Sequence, residues 1–92
     1  MVRKAYVPDR GDAVWISFGP SLGREQTKRR PAVVLSPRLY NERTGLALLC
    51  PITTHAKGYP FEVVLQDGKI SGAVLCDHIK NLDWRMRHTV FI

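Results

Sequence analysis

The chain has 92 residues, of which 45% are hydrophobic and 24% charged, and its 14 Lys and Arg outnumber 8 Asp and Glu to give a net charge of +6. This length predicts one domain over residues 1–92, and the composition excludes a disordered chain. The longest uncharged apolar run, Leu46–Ile52, is too short to cross a membrane, and no signal-peptide core follows the basic N-terminus. A cytoplasmic location without a membrane partner is therefore expected.

Cys50 and Cys76 lie in apolar segments, which favours buried free thiols over a disulfide.

The first third of the chain predicts two strands separated by a polar loop. Residues alternate in hydrophobicity over Asp12–Phe18, so every second residue from Val14 is expected to face the core. Gly19–Arg30 is long and polar and predicts a loop. Pro31 is expected to open the next strand, Ala32–Ser36, because proline is tolerated at the first position of a strand.

The rest of the chain continues the pattern of short strands between turns. Leu46–Ile52 is continuously apolar, as expected of a strand covered on both faces. The connection before it could hold one helical turn near Tyr40, and His78–Met86 could be a helical turn followed by a strand. Asp67-Gly68 is a strong turn signal. Further strands are predicted at Phe61–Leu65, Gly72–Cys76 and Thr89–Ile92. Five to seven such strands indicate a mostly β fold, a small antiparallel barrel.

The positive charge is clustered along the chain. One group lies within seven residues that hold a single acid, Glu25, and a second group is diluted by Asp83. The first group is Arg24, Lys28, Arg29 and Arg30, and the second is Lys80, Arg85 and Arg87. Clustering favours a face that binds phosphates over scattered solubilising charge, and the isoelectric point near 9.8 is typical of nucleic-acid-binding domains.

Three kinds of site can be set aside from the residue spacing. The histidines and cysteines show no zinc-ligand spacing, so no metal is expected. There is no glycine-rich phosphate loop, and no serine lies in a nucleophile elbow. No cofactor is therefore expected.

Two polar segments at predicted strand ends remain as candidates for chemistry. Gly23–Pro31 precedes one strand, and Pro51–Thr54 ends the most apolar one, so Arg30 and Thr53 can meet if the two strands pair. RNA carries its own nucleophile, the 2′-hydroxyl, and a protein that cleaves it must orient that group, move two protons and stabilise charge. A guanidinium and a hydroxyl can hold phosphate oxygens, and Glu25 could take the 2′-hydroxyl proton. The same residues could equally form surface ion pairs and ordinary strand ends.

Five motifs in this order resemble the MazF/PemK toxins, and together they span nearly the whole chain. They are Tyr6-Val7-Pro8-Asp9-x-Gly11-Asp12, Gly23-x-Glu25-Gln26-x-x-x-Arg30-Pro31-Ala32-Val33-Val34-Leu35-Ser36, Pro51-Ile52-Thr53-Thr54, Lys57-Gly58-Tyr59-Pro60-Phe61-Glu62-Val63-Val64-Leu65 and Gly72-Ala73-Val74-Leu75-Cys76-Asp77. The resemblance implies an SH3-like barrel of the CcdB/MazF type that works as a homodimer. It implies a toxin of a type II toxin–antitoxin system that cleaves single-stranded mRNA at specific sequences without a metal, leaving 2′,3′-cyclic phosphate and 5′-hydroxyl ends and inhibiting translation and growth.

The resemblance also implies partners and site residues. A disordered antitoxin tail would cover the RNA groove, and DNA would be contacted only through the toxin–antitoxin complex. Arg30 and Thr53 occupy the family's catalytic positions, Arg30 stabilising charge and Thr53 orienting the phosphate, and Glu25 is a candidate general base. The expected RNA-binding residues are Arg24, Gln26, Lys28, Arg29, Thr54, Lys57, Asp77, His78 and Lys80.

The sequence departs from the family pattern at two places. His78 follows Asp77 where many relatives carry Gln, which could alter the preferred RNA sequence. The chain ends at Val90–Ile92, inside a predicted strand, so the family's C-terminal helix is expected to be missing and the domain to be C-terminally truncated. Two alternatives stay open at this point: an RNA- or peptide-binding barrel without catalysis, and a gyrase-targeting toxin of the CcdB type. The Arg30–Thr53 pair favours the nuclease, since a gyrase binder has no use for it.

Overall fold

A computed structural model describes residues 6–18, 29–67 and 70–92 and shows an antiparallel sheet with one helix. The elements are β1 (Ala13–Ser17), β2 (Arg29–Val34), α1 (Arg38–Thr44), β3 (Leu46–Thr53), β4 (Glu62–Asp67), β5 (Ile70–Leu75), β6 (Lys80–Asp83) and β7 (Val90–Phe91). The strand order is β4-β5-β3-β2-β1-β7, with β6 also paired to β3. In the described residues β4, β6 and β7 each pair with one strand only, so the sheet is barrel-like without being closed. The predicted mostly β, antiparallel fold is confirmed.

Strand β3 is the centre of the sheet because it pairs with three other strands. Leu46–Leu49 pairs with β6, and Ile52 and Thr53 pair with β5. Pro51 falls between these two partners on that edge, where the N–H that proline lacks is not required for a ladder. The change of partner within one strand places the β4–β5 hairpin beside the C-terminal end of β3.

The two faces of the central sheet are covered by two apolar clusters, because side chains alternate along each strand. Leu49 belongs to the first cluster and its neighbour Cys50 to the second. The predicted alternation of the first strand is confirmed over Val14, Trp15 and Ile16, but Ser17, expected on the outer face, is buried as well. The first cluster comprises Val14, Ile16, Ala32, Val34, Ala47, Leu49 and Trp84, and the second comprises Cys50, Ile52 and Val74.

Helix α1 is longer than the single turn expected near Tyr40 and is held by a buried polar side chain. Asn41 donates from Nδ2 to the Pro8 carbonyl at 2.8 Å, and its Oδ1 accepts from the Ser36 hydroxyl at 2.5 Å. The Trp84 indole N–H donates to the Asn41 carbonyl at 2.8 Å. The helix has no apolar stripe, and this hydrogen-bond network holds it against the rest of the protein instead. Gly45 ends the helix in the left-handed conformation, with φ of 75°.

Several predicted boundaries shift in the structure. Pro31 is the third residue of β2 and does not open it, and His78–Met86 contains strand β6 followed by a turn. The predicted turn at Asp67-Gly68 falls partly outside the described residues, although Asp67 pairs with Ile70. Cys50 and Cys76 are free, as predicted, but only Cys50 is buried, and Cys76 is half-buried. Over the described ranges, no helix is long and apolar enough to cross a membrane.

Candidate active site

A cleft of about 540 Å³ lies where β3 ends beside the β4–β5 hairpin. Four of the residues predicted as catalytic or RNA-binding line it together: Thr53, Lys57, Asp77 and His78. The other lining residues are His55, Tyr59, Phe61, Glu62 and Leu75. The structure therefore brings together residues that are far apart in the sequence, from the end of β3, the following loop and the segment after β5.

Thr53 is positioned by its strand and by a close backbone approach. It is the last residue of β3, it pairs with Ala73, and its Oγ1 accepts the backbone N–H of His55 at 3.1 Å. Gly72 lies directly against the Thr53 carbonyl, because a Cβ built on Gly72 would stand 2.4 Å from that oxygen. Gly72 also has φ of 152°. Only glycine allows β5 to approach β3 this closely, so Gly72 helps to set the position of Thr53.

Arg30 is related to Thr53 by the register of two paired strands. The pairing of β2 with β3, on which the meeting of the two residues depends, is present, with Ala32 opposite Pro51. The β2–β3 pairing ends there, and Arg30 and Thr53 each lie two residues beyond that pair, at the same end of the sheet. Arg30 is exposed and lies at the open end of β2, opposite Ile16 of β1. It is not among the residues that line the cleft. The convergence of the guanidinium and the hydroxyl on one phosphate therefore stays a prediction.

The other predicted residues are distributed more widely. Arg29 is half-buried and its Nη1 donates to the His88 carbonyl at 2.7 Å, which ties β2 to the turn before β7. Thr54 follows β3 and is exposed, and Lys80 is exposed at the start of β6. Four predicted residues lie outside the described part of the chain: Arg24, Glu25, Gln26 and Lys28.

The loop that forms one wall of the cleft is organised by a carboxylate that sequence reasoning did not single out. Glu62 Oε1 accepts the backbone N–H groups of Lys57 and Gly58, each at 3.0 Å, and the Glu62 N–H donates to the Tyr59 carbonyl at 3.1 Å. His55 and Phe61 were also missed. The only local signal was the run of aromatic residues around Pro60, which precedes a predicted strand.

The cleft carries charges of both signs. Lys57 and the two imidazoles line the same cleft as the carboxylates of Glu62 and Asp77, and His78 Nε2 is 3.5 Å from Asp77 Oδ2, an ion pair when the imidazole is protonated. Cys50 belongs to the apolar cluster beside this site, and burial is the main cause that raises the pKa of its thiol. Cys50 therefore stays a neutral thiol and is a poor nucleophile. The described residues hold no group of three or more side chains arranged to ligate a metal ion.

The fold, the motif residues and the cleft at the end of β3 define a class of small toxin. The chain belongs to the PemK-like, MazF-like toxin family of type II toxin–antitoxin systems, whose family model matches residues 9–92. The resemblance noted in the sequence is thereby confirmed.

Relatives and solved structures agree with this assignment. The chain is 54% identical over 82 residues to the endoribonuclease toxin MazF of Escherichia coli K12. The matched residues cover 89% of this chain and 74% of that protein. It resembles the crystal structure of MazF (Form-I) from Deinococcus radiodurans with a TM-score of 0.84 and 55% identity, over 95% of this chain and 80% of that one. A MazE–MazF structure (Form-II) from the same organism gives a TM-score of 0.82 and 51% identity, over 95% and 78% of the two chains.

Proposed function

We propose that this chain is an endoribonuclease toxin that cleaves single-stranded mRNA at specific sequences without a metal ion and thereby inhibits translation and growth. The relatives named as endoribonuclease toxins support this activity. The single observation that carries the proposal within this chain is the register of β2 on β3. The last pair of that register is Ala32 with Pro51, Arg30 and Thr53 each lie two residues beyond it at the same end of the sheet, and Thr53 lines the cleft.

The proposed reaction uses the 2′-hydroxyl of the RNA as its nucleophile. The 2′-oxygen forms a bond to phosphorus and loses its proton, while the bond from phosphorus to the 5′-oxygen breaks and that oxygen gains a proton. The products are a 2′,3′-cyclic phosphate and a 5′-hydroxyl, and atoms and charge balance without a cofactor. The protein must hold the phosphate in line, receive one proton, supply another and stabilise the charge that develops on phosphorus oxygens.

Each role is assigned to one residue. The Arg30 guanidinium presents a planar set of positively charged donors, so it stabilises the phosphorane oxygens. The Thr53 hydroxyl donates to a phosphate oxygen, while its oxygen accepts the His55 backbone N–H, which fixes its orientation. Glu25 is the candidate general base, and it lies outside the described residues.

Substitutions at Arg30 and Thr53 test the assignment. We expect wild-type protein to cleave single-stranded RNA in the presence of EDTA, and Arg30→Ala and Thr53→Val to lose at least about a hundredfold in kcat, the scale found when one group that stabilises the transition state is removed. Thr53→Ser keeps the hydroxyl and should restore most activity. Arg43→Ala, which removes an exposed arginine in the last turn of α1, is the matched control and should cleave normally.

Other outcomes separate the alternatives. Cleavage that requires added magnesium would contradict the metal-independent mechanism. A wild-type chain that binds RNA without cleaving it would favour the non-catalytic barrel, and poisoning of gyrase without cleavage would favour the CcdB-type toxin. Sequencing the ends of the fragments identifies the preferred site. Binding through the basic residues should also weaken steeply with salt.

The proposal includes the partners expected of such a toxin. MazE–MazF structures among the neighbours support a cognate antitoxin, whose disordered tail would cover the RNA groove. We propose that the chain acts in the cytoplasm as a homodimer and contacts DNA only within the toxin–antitoxin complex. Analytical ultracentrifugation at several concentrations tests the homodimer, and a single monomeric species would contradict it.

A further inference from the structure

Two aromatic side chains of the cleft form a stacked pair that the proposed reaction does not use. The rings of Tyr59 and Phe61 have centroids 5.1 Å apart and an angle of 22° between their planes. Both rings line the cleft that contains Thr53. Tyr59 is 49% exposed and Phe61 41% exposed, so a large share of each side chain stays open to a ligand.

The backbone contacts around this pair hold it in place. The Glu62 N–H closes a turn onto the Tyr59 carbonyl at 3.1 Å, and the Glu62 carboxylate accepts the N–H groups of Lys57 and Gly58. Phe61 lies directly before β4 and its carbonyl accepts the Cys76 N–H at 3.2 Å. The pair therefore presents a fixed apolar surface, and a ligand that stacks on it does not need to order the loop first.

The polar groups around the pair suit a nucleobase better than a second phosphate. Lys57 and His78 can donate hydrogen bonds, while Asp77 can accept them, and all three line the same cleft. A phosphate would be repelled by the carboxylates of Glu62 and Asp77. A base offers an aromatic plane to the rings and donors and acceptors at its edge, and every unpaired base has such a plane.

We propose that Tyr59 and Phe61 form a stacking platform for one unpaired nucleobase next to the phosphate held at Thr53, with Asp77 and His78 at the edge of that base. This inference rests on the proposed function for its ligand, single-stranded RNA. It adds a base-binding subsite to the cleft and makes the Tyr59–Phe61 pair a determinant of affinity for single strands over duplexes, whose bases are already stacked.

A fluorescent base analogue tests the platform. Short 2′-O-methyl oligonucleotides with 2-aminopurine at the centre and random flanks cannot be cleaved, and stacking quenches the analogue. We expect wild-type protein to quench it on binding. Tyr59→Leu and Phe61→Leu should each lose much of the quenching and bind at least about fivefold more weakly, the scale of one base–aromatic stack. Tyr59→Phe keeps the ring and should retain the quenching.

The control is another exposed aromatic residue away from the cleft. Phe91 is 55% exposed on β7, and Phe91→Leu should quench and bind like wild type. Circular dichroism confirms that each variant is folded. Quenching that is unchanged in both leucine variants, or absent in the wild type, overturns the platform. The same holds if the leucine variants dissociate a dimer while binding the oligonucleotide normally, because the pair would then face a second copy.

A parallel cleavage assay separates this inference from the proposed function. Wild-type protein that quenches through Tyr59 and Phe61 but leaves RNA intact supports the platform and contradicts the nuclease. Wild-type protein that cleaves RNA with quenching independent of both rings supports the nuclease and overturns the platform. If both hold, the leucine variants should raise KM more than they lower kcat, because stacking is made in the ground state as well as in the transition state.

Discussion

The two halves of the sheet are stabilised in different ways. Around β1, β2, α1 and the first part of β3, the side chains of the first apolar cluster are buried, and the polar side chain of Asn41 is enclosed with its hydrogen bonds satisfied. Around the β4–β5 hairpin the strands carry exposed apolar residues, and Val64 retains 69% of its surface. The hairpin side is held by backbone pairing, by the Gly72–Thr53 contact and by the Glu62 carboxylate. The first region is a rigid base, and the second forms the cleft.

The difference in burial between the two regions indicates which part of so small a domain can carry a functional site. A buried core tolerates little change because each side chain fills its space. A cleft wall built from backbone contacts can vary its exposed side chains while the backbone stays in place. Stability and RNA cleavage should therefore respond to substitutions in different regions.

The largest expected effect is on the rigid base. Leu49→Ala removes a fully buried side chain from the first apolar cluster and should lower the free energy of unfolding by about 2–5 kcal/mol. Equilibrium urea unfolding measures it. Leu48→Ala, one residue away on the opposite and partly exposed face, is the control and should cost less than about half as much. Equal losses at both positions would contradict the assignment of the core face.

Gly72→Ala should affect both regions. The added Cβ would lie 2.4 Å from the Thr53 carbonyl, so the end of β3 must move, at a cost of about 1–3 kcal/mol. A displacement of Thr53 should also reduce kcat by about tenfold to a hundredfold in the folded protein. Gly11→Ala is the control, since Gly11 also has a positive φ but nothing within 4 Å of its Cβ position. Cleavage that survives in Gly72→Ala would show that the position of Thr53 does not limit the reaction.

The regular part of the fold follows from the sequence more directly than the helix does. The alternation around Val14 and the apolar run ending at Ile52 report burial at most positions, because period-two and continuous patterns reflect how strands are covered. The exceptions are Leu48, which is partly exposed, and Ser17, which is buried. Helix α1 has no such pattern. It is set by Asn41, whose partners are Ser36 just before the helix and Pro8 from the N-terminal segment, and these contacts leave no periodic trace.

In the candidate site, too, some residues could be identified from the sequence and others only from the structure. Thr53 could be predicted from its place at the end of an apolar strand, and Lys57, Asp77 and His78 follow from the resemblance to the family; all four line the cleft. Glu62 could not, because its role depends on which N–H groups the loop turns towards it. The role of Gly72 depends on the pairing of β5 with the last residues of β3, and a glycine in a predicted strand does not identify the carbonyl it approaches.

The dependence of stability on pH tests a contact of the rigid base, the hydrogen bond of the Tyr6 hydroxyl. Burial, followed by the hydrogen bond that the Tyr6 hydroxyl donates to Asp12 at 2.6 Å, raises the pKa of Tyr6 above its usual range. The protonated phenol is thus favoured in the folded state, so its contribution is full below about pH 10 and is lost as pH rises further. Tyr6→Phe should cost about 1–2 kcal/mol near neutral pH and should flatten the loss of stability at high pH.

The unfolding midpoint of both proteins measured between about pH 8 and pH 11 checks this prediction. Tyr40→Phe is the control, because the Tyr40 hydroxyl accepts a hydrogen bond from Asn81 at an exposed position. Parallel pH profiles for wild type and Tyr6→Phe would refute the linkage.

The smallest effect is expected at the loop carboxylate of the cleft. Glu62→Gln keeps the shape and one acceptor oxygen but removes the negative charge that strengthens the bonds from the Lys57 and Gly58 N–H groups, at a cost of about 0.5–1 kcal/mol in local stability. Amide hydrogen exchange at Lys57 and Gly58 should accelerate several-fold, while amides of β1 and β2 keep their rates. Glu42→Gln on exposed α1 should change neither. If exchange accelerates in β1 as well, the loop and the rigid base open together, and the division between the two regions fails.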